Sequence, residues 1–141
     1  MRVVLDTNVI IAPFLSPKGV PALIRKAWED GVFDVVVSET LLAEYTEVLG
    51  YEDIAAKHQM EQAKIKSVIE GFKKYAILVS PTKVPKVVKE DPDDDELFAV
   101  AEEGEASYIV TKNKHVLYVG EYKGIQVLTP LAFLTLLEAE K

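Results

Sequence analysis

The chain has 141 residues, 49% hydrophobic and 28% charged, which is globular composition with enough length for one domain and its own core. It has no cysteine, which excludes disulfides and thiolate metal sites and agrees with a reducing cytoplasm. Lys and Arg number 16 against 23 Asp and Glu, a net charge of −7, which argues against a nucleic-acid binder that works by bulk attraction and leaves room for acids gathered around a cation.

In chain order, residues 2–5 (RVVL) form a β-branched run that reads as a buried strand. Residues 20–29 (VPALIRKAWE) have helical spacing with Pro21 near the start. Residues 34–37 (DVVV) read as a second strand, and Ser38 suits the cap of a helix over 39–49. After the polar segment YEDIAAKHQ, residues 60–75 form a further amphipathic helix. Residues 76–79 (AILV) read as a third strand, and the Pro- and Lys-containing stretch 80–90 as a surface loop. Asp91 and Pro92 open a helix running to about 103. Residues 107–110 (SYIV) are a fourth strand, 112–119 a short helix, 125–128 a fifth strand, and Pro130 starts a terminal helix. Low Asn, Gln and Cys with abundant Glu and Lys match the bias of proteins from hot habitats.

This alternation implies βαβ units: a single α/β domain over 1–141, a three-layer α/β/α arrangement with a mostly parallel sheet of about five strands. The N-terminal apolar run is too short, and interrupted by Asp6, for a signal peptide. No stretch approaches the ~20 apolar residues of a membrane span. In such a sheet, ligands bind outside the carboxyl ends of the strands, so the polar residues that follow each strand are the site candidates.

Asp6 ends the first strand; it serves equally well there as a ligand-binding acid or as a cap ordering the next loop, with Thr7 and Asn8 as its support. Projected at about 100° per residue, Glu44 falls at the margin of the apolar arc of its helix, where it faces a cleft or, judged alone, merely solvent. Asp91, Asp93, Asp94 and Asp95 exceed what capping and the helix dipole need. The same projection puts Asp94 inside the buried arc, Asp91 and Asp95 beside its edge and Asp93 opposite, favouring Asp94 as a ligand. Asn113 and Thr111 follow the fourth strand; Asn113 is a neutral oxygen ligand or an ordinary N-cap. An oxygen-only set suits Mg²⁺ or Mn²⁺ rather than zinc, and His58 and His115 read as surface residues outside any zinc spacing. Lys83, Lys86, Lys89, Lys112 and Lys114 flank the acids, either to hold a phosphate backbone or simply for solubility. No GxGxxG, P-loop or G-x-S-x-G motif is present.

Four segments in order, VVLDTNVI, VVSETLLAEY, DPDDDELFAVA and YIVTKNKH, resemble the PIN-domain family, in particular its single-domain ribonuclease branch found as toxins of toxin–antitoxin systems. The resemblance implies a Mg²⁺- or Mn²⁺-dependent endoribonuclease that cleaves RNA, with Asp6, Glu44 and Asp94 as catalytic and metal-binding acids. Asp95 is the one-position alternative to Asp94, and Asn8 and Thr111 are supports. It also implies an antitoxin partner and a homodimer. The family's fourth acid is usually Asp, and this chain has Asn113 in its place, one negative charge fewer. A degenerate PIN module that binds RNA or a protein without cutting is the competing reading, and structured DNA the competing substrate. A phosphatase of the haloacid dehalogenase type would want a second Asp two residues after Asp6, where this chain has Asn8.

Overall fold

A computed structural model describes residues 1–140. Among these residues six strands form one mostly parallel sheet in the order β3-β2-β1-β4-β6-β5. They are β1 (Arg2–Leu5), β2 (Asp34–Val37), β3 (Ile77–Leu78), β4 (Tyr108–Val110), β5 (Glu121–Tyr122) and β6 (Ile125–Leu128). The sixth strand beyond the expected five is β5, a two-residue edge that pairs antiparallel with β6 across the turn at Lys123 and Gly124.

The three central strands carry the most continuous apolar runs. Val3, Val4, Leu5, Val35, Val36, Val37, Ile109 and Val110 are all buried, as expected of strands covered on both faces. Val3 pairs with Val35 on one side and with Tyr108 on the other; Leu5 pairs with Val110. β6 at the flank alternates instead: Ile125 and Val127 are buried and Gln126 is exposed.

Nine helices surround the sheet among the described residues: α1 (Thr7–Ile10), α2 (Ala12–Leu15), α3 (Val20–Glu29), α4 (Glu39–Leu49), α5 (Glu52–His58), α6 (Gln62–Tyr75), α7 (Asp95–Glu103), α8 (Lys114–Val119) and α9 (Pro130–Ala139). On one face α7 packs over β1, β2 and β4. Elsewhere α3 meets α9, and Phe33 and Phe133 stack edge-on with centroids 5.1 Å apart. Ser38 Oγ accepts the Leu41 amide at 3.1 Å and starts α4, as its cap position predicts.

Three features depart from the expectations. Helices α1 and α2 stand where no element was expected; each is a single turn, and Asp6 caps the first by accepting the Thr7 amide. The polar segment after Gly50 is largely helical as α5, ending at Gln59 with a left-handed φ of 55°. His58 is no free surface residue: its Nε2 donates to the Leu49 carbonyl at 2.7 Å while Nδ1 accepts the Met60 amide at 2.8 Å. That pairing requires the neutral ring protonated at Nε2. His115 is exposed, as expected.

The strand order reverses between β1 and β4, which leaves a crevice at their carboxyl ends. Tyr45, fully buried on α4, donates its hydroxyl to the Leu5 carbonyl at 2.7 Å and anchors that helix beside the end of β1. On the other side, Gly104 lets the end of α7 press onto β2: a Cβ there would lie 2.3 Å from Val36 Cγ1. Gly104→Ala is therefore expected to lower unfolding stability by about 1–3 kcal/mol through overpacking. Urea titration at constant m reads it; an unchanged midpoint would show that the helix end is not fixed against Val36.

Candidate metal centre

Asp6 leaves β1 at this crevice and is only 5% exposed. Its amide donates to the Val110 carbonyl at 2.9 Å, so the residue is locked to the end of β4. Its Oδ1 accepts the Thr7 amide at 2.7 Å. Its Oδ2 accepts the Thr111 hydroxyl at 2.6 Å and, at 3.3 Å, the Asn8 amide group. Asn8 Oδ1 in turn accepts the Lys112 amide at 3.1 Å and ties the two loops together. Burial pushes the Asp6 carboxyl up, the Thr111, Thr7 and Asn8 donors pull it partly back, and the charge of Asp91 raises it again.

Glu44 joins through a bridge. The Thr7 hydroxyl donates to Glu44 Oε2, so the residue after Asp6 holds the acid on α4. Burial raises the Glu44 carboxyl, Thr7 opposes that, and the charges of Asp6, Asp93 and Glu47 add to it. Asp94 stands at the end of a 3-10 turn (Pro92–Asp94) that precedes α7, with Oδ2 accepting Asn113 Nδ2 at 3.0 Å. Its carboxyl moves from the ordinary 3.8 to about 7, by burial first and then by the charges of Asp6, Asp91, Glu44 and Asp93. These effects make Asp6, Glu44 and Asp94 electrostatic neighbours although they come from the end of a strand, a helix and a turn.

The projection behind Asp94 placed the wrong residue in the core. It assumed an α-helix from Asp91, but the first turn is 3-10, which advances by about 120° per residue and shifts the phase. Asp95 is the buried one at 6% exposure, while Asp94 is half-buried. Asp95 Oδ1 accepts the amides of Val87 and Val88 at 2.9 and 2.7 Å, in the loop before the turn, and not a residue of the crevice. Asp91 caps the turn by accepting the Asp93 amide at 3.2 Å, and Asp93 is exposed.

Asn113 does two jobs at once. It caps α8, with Oδ1 accepting the His115 amide at 2.9 Å, and its amide group donates to Asp94. Its backbone N–H donates to Thr111 Oγ1 at 3.0 Å, so Asn113, Thr111 and Asp6 form one relay of hydrogen bonds. Sequence reasoning missed Glu96, whose carboxyl accepts the Ser38 hydroxyl at 3.4 Å beyond the end of β2 and is raised by burial. Lys112 and Lys114 are exposed on either side of Asn113, and Lys86 and Lys89 are exposed in the loop; Lys83 lies instead with Glu102 and Glu103 at the far end of α7.

The donor set fits a hard divalent cation: it is all oxygen, and each of Glu44 and Asp94 keeps one oxygen with no hydrogen bond in the site. The acids raise one another, so a cation among them would relieve the repulsion. They do not form a closed cage as they stand, since no three Asp, Glu or His side chains lie close enough to hold a metal among the described residues.

The PIN domain family model matches residues 2–115, and the chain belongs to that family. PIN domains are generally nucleases and typically use divalent metal ions. An uncharacterised protein of Methanocaldococcus jannaschii is 24% identical over 120 residues, covering 83% of this chain and 74% of the relative. The crystal structure of PAE2754 from Pyrobaculum aerophilum superposes with a TM-score of 0.63 at 15% identity, over 99% of this chain and 90% of that one. FitAcB from Neisseria gonorrhoeae gives 0.61 at 16% identity, over 92% and 98% of the two chains.

The electrostatics predict a pH dependence. A carboxyl raised to about 7 takes up a proton on folding between the unfolded value of 3.8 and that point. In EDTA, the stability that this group contributes is complete below about pH 4 and is lost as pH rises through about 7. Asp94→Asn should flatten that decline in melting temperature, and an unaltered slope in the variant would remove Asp94 from the crowded cluster.

Proposed function

We propose that the chain is a metal-dependent ribonuclease that cleaves RNA phosphodiester bonds, with Mg²⁺ or Mn²⁺ held by Asp6, Glu44 and Asp94. The observation that carries it is the mutual charge of these acids, delivered from separate elements to one crevice of a family that is generally nucleolytic. A divalent cation supplies the positive charge that acidifies water and offsets the charge of the phosphate oxygens.

The chain's own residues do the rest. Asp6 is the fixed point, because Thr111, Thr7 and Asn8 hold it in one orientation. Thr7 keeps Glu44 beside it, and Asn113 aims Asp94. With its carboxyl at about 7, Asp94 gives up a proton near neutrality when positive charge arrives. Lys112 and Lys114, exposed on either side of Asn113, would meet the phosphates of a bound strand and oppose the repulsion that the acids exert on RNA.

We further propose that residues 1–141 act as one PIN-like unit in the cytoplasm, as a homodimer silenced by a small antitoxin, in keeping with the toxin branch that the sequence resembles. No single helix among the described residues is long and apolar enough to cross a membrane. The competing reading, a module that binds RNA or a protein without cutting, draws on one observation: Asn113 presents an amide donor to Asp94 where the family usually has an acid.

The test is cleavage of single-stranded RNA and of DNA in Mn²⁺ and Mg²⁺. RNA cutting is expected, abolished by EDTA and by Asp6→Asn, while Thr111→Val should lose about 10–100-fold by freeing the Asp6 carboxylate. Full activity in EDTA or in Asp6→Asn, or cutting of DNA alone, would overturn the proposal. Asn113→Asp separates the two readings. It exchanges a donor for a second carboxylate facing Asp94, so it should lower melting temperature without metal and tighten Mn²⁺ binding. If neither changes, the residue at 113 acts only as the cap of α8.

A further inference from the structure

Asp95 is a carboxylate without a place in the acidic crevice. It is 6% exposed at the first residue of α7, and one of its oxygens accepts two consecutive loop amides, from Val87 at 2.9 Å and Val88 at 2.7 Å. A buried carboxylate is tolerated only when hydrogen-bonded, and these two bonds supply that requirement. They also answer a need of the loop. The Val79 amide makes the last bond to β2, at 2.9 Å to the Val37 carbonyl; residues 80–88 beyond it form no helix or strand, so their amides have no ladder to join, and Val88 is the loop residue whose side chain enters the core.

The clasp fixes what lies on either side of it. Lys86 immediately precedes Val87 and Lys89 immediately follows Val88, and both are exposed. Neither forms an ion pair among the described residues, whereas Lys26, Lys73 and Lys123 do. Asp95 is the direct neighbour of Asp94, so with ~3.8 Å between successive Cα atoms the clasped loop backbone runs within roughly 10 Å of Asp94. In a chain of net charge −7, strand-holding cations must be placed locally, and this bond pair fixes the stretch of backbone that carries Lys86 and Lys89.

We propose that Asp95 is a positioning residue that pins the loop of residues 80–90 beside the acidic crevice, so that Lys86 and Lys89 hold the phosphate backbone of single-stranded RNA. This rests on the ribonuclease reading above. Asp95 touches neither substrate nor metal in this role. It acts through the loop, and a neutral side chain that still accepts the two amides does the same work.

The experiment uses the full chain in three variants, Asp95→Ala, Asp95→Asn and the double Lys86→Gln/Lys89→Gln. Hydrogen exchange at the Val87 and Val88 amides reads the clasp directly. Affinity for a single-stranded RNA oligonucleotide, measured at several salt concentrations in an Asp6→Asn background, reads the lysines. Asp95→Ala should expose both amides and weaken RNA about 10-fold. Its salt slope should fall by about 1.4, the loss of two phosphate contacts at about 0.7 each on a single strand. The double lysine variant should reproduce the affinity and slope changes with both amides still protected. Asp95→Asn, with Asp6 intact, should keep amide protection, affinity and cleavage within about twofold of the parent.

Cleavage lost in Asp95→Asn as in Asp6→Asn would make Asp95 a charge-dependent site acid and overturn the proposal. Unchanged RNA affinity in the double lysine variant would overturn it as well. If Asp95→Ala does not fold, Asp95→Asn and the lysine pair still decide. A parent chain that neither binds nor cuts RNA overturns the ribonuclease reading and the lysine half with it, whereas amide exchange judges the clasp independently of any activity.

Discussion

A carboxylate buried between two parallel strands governs the arrangement of this molecule. Asp6 sits where β1 and β4 part, and a bare negative charge at that depth would be costly. The local sequence answers it with three donors within hydrogen-bonding distance: the amide of Thr7, the hydroxyl of Thr111 and the side-chain amide of Asn8. Each also serves a neighbour. Thr7 begins α1 and holds Glu44, Thr111 receives the amide of Asn113, and Asn8 receives the amide of Lys112. Solvation of one charge thus fixes the loops after two strands and the orientation of a second acid.

The donors only partly offset burial, and further acids then crowd the same place. Asp94 has its carboxyl driven to about 7, next to Asp6, Asp91 and Glu44. A fold under selection for stability alone would have no reason to gather them, since deleting one relieves repulsion. Such crowding fits the proposed site, whose charge a cation would complete, and under that proposal it reconciles an acidic protein with an anionic substrate: the acids would attract a cation, and exposed lysines would meet the phosphates. The alternative of a silent, purely binding module keeps its one foothold in Asn113, which offers Asp94 a proton donor rather than another charge.

Much of the fold was legible because its signals are local and redundant. β1, β2 and β6 are β-branched runs bounded by turn residues, and α3 and α4 carry Pro21 or the Ser38 cap at their starts. What escaped was set by tertiary context. α1 and α2 are single turns, too short to be stable by propensity, and depend on the Asp6 cap and on packing. β5 has two residues and exists only because β6 is there to pair with it. His58 looks like a surface residue in the sequence because a ring bonded to two backbone groups leaves no pattern there. Asp6 and the Asp91–Asp95 cluster are visible as residues after a strand or at a helix start, and Glu44 from its place at the margin of an apolar arc, but the division of labour between Asp94 and Asp95 is not. It turns on a 3-10 turn and on a loop eight residues upstream, and neither has a periodic signature.

The central claim is that Asp6, Glu44 and Asp94 make one charge-crowded site that a divalent cation completes. Calorimetric titration of the metal-free chain with Mn²⁺ near pH 7, in two buffers of different ionisation enthalpy, tests it most directly. Because the Asp94 carboxyl titrates at about 7, binding should release a substantial fraction of a proton there and almost none near pH 9. Asp94→Asn should abolish the release and Asp6→Asn the binding. Mn²⁺ binding with no proton release at neutrality, or undiminished by Asp6→Asn, would contradict the account.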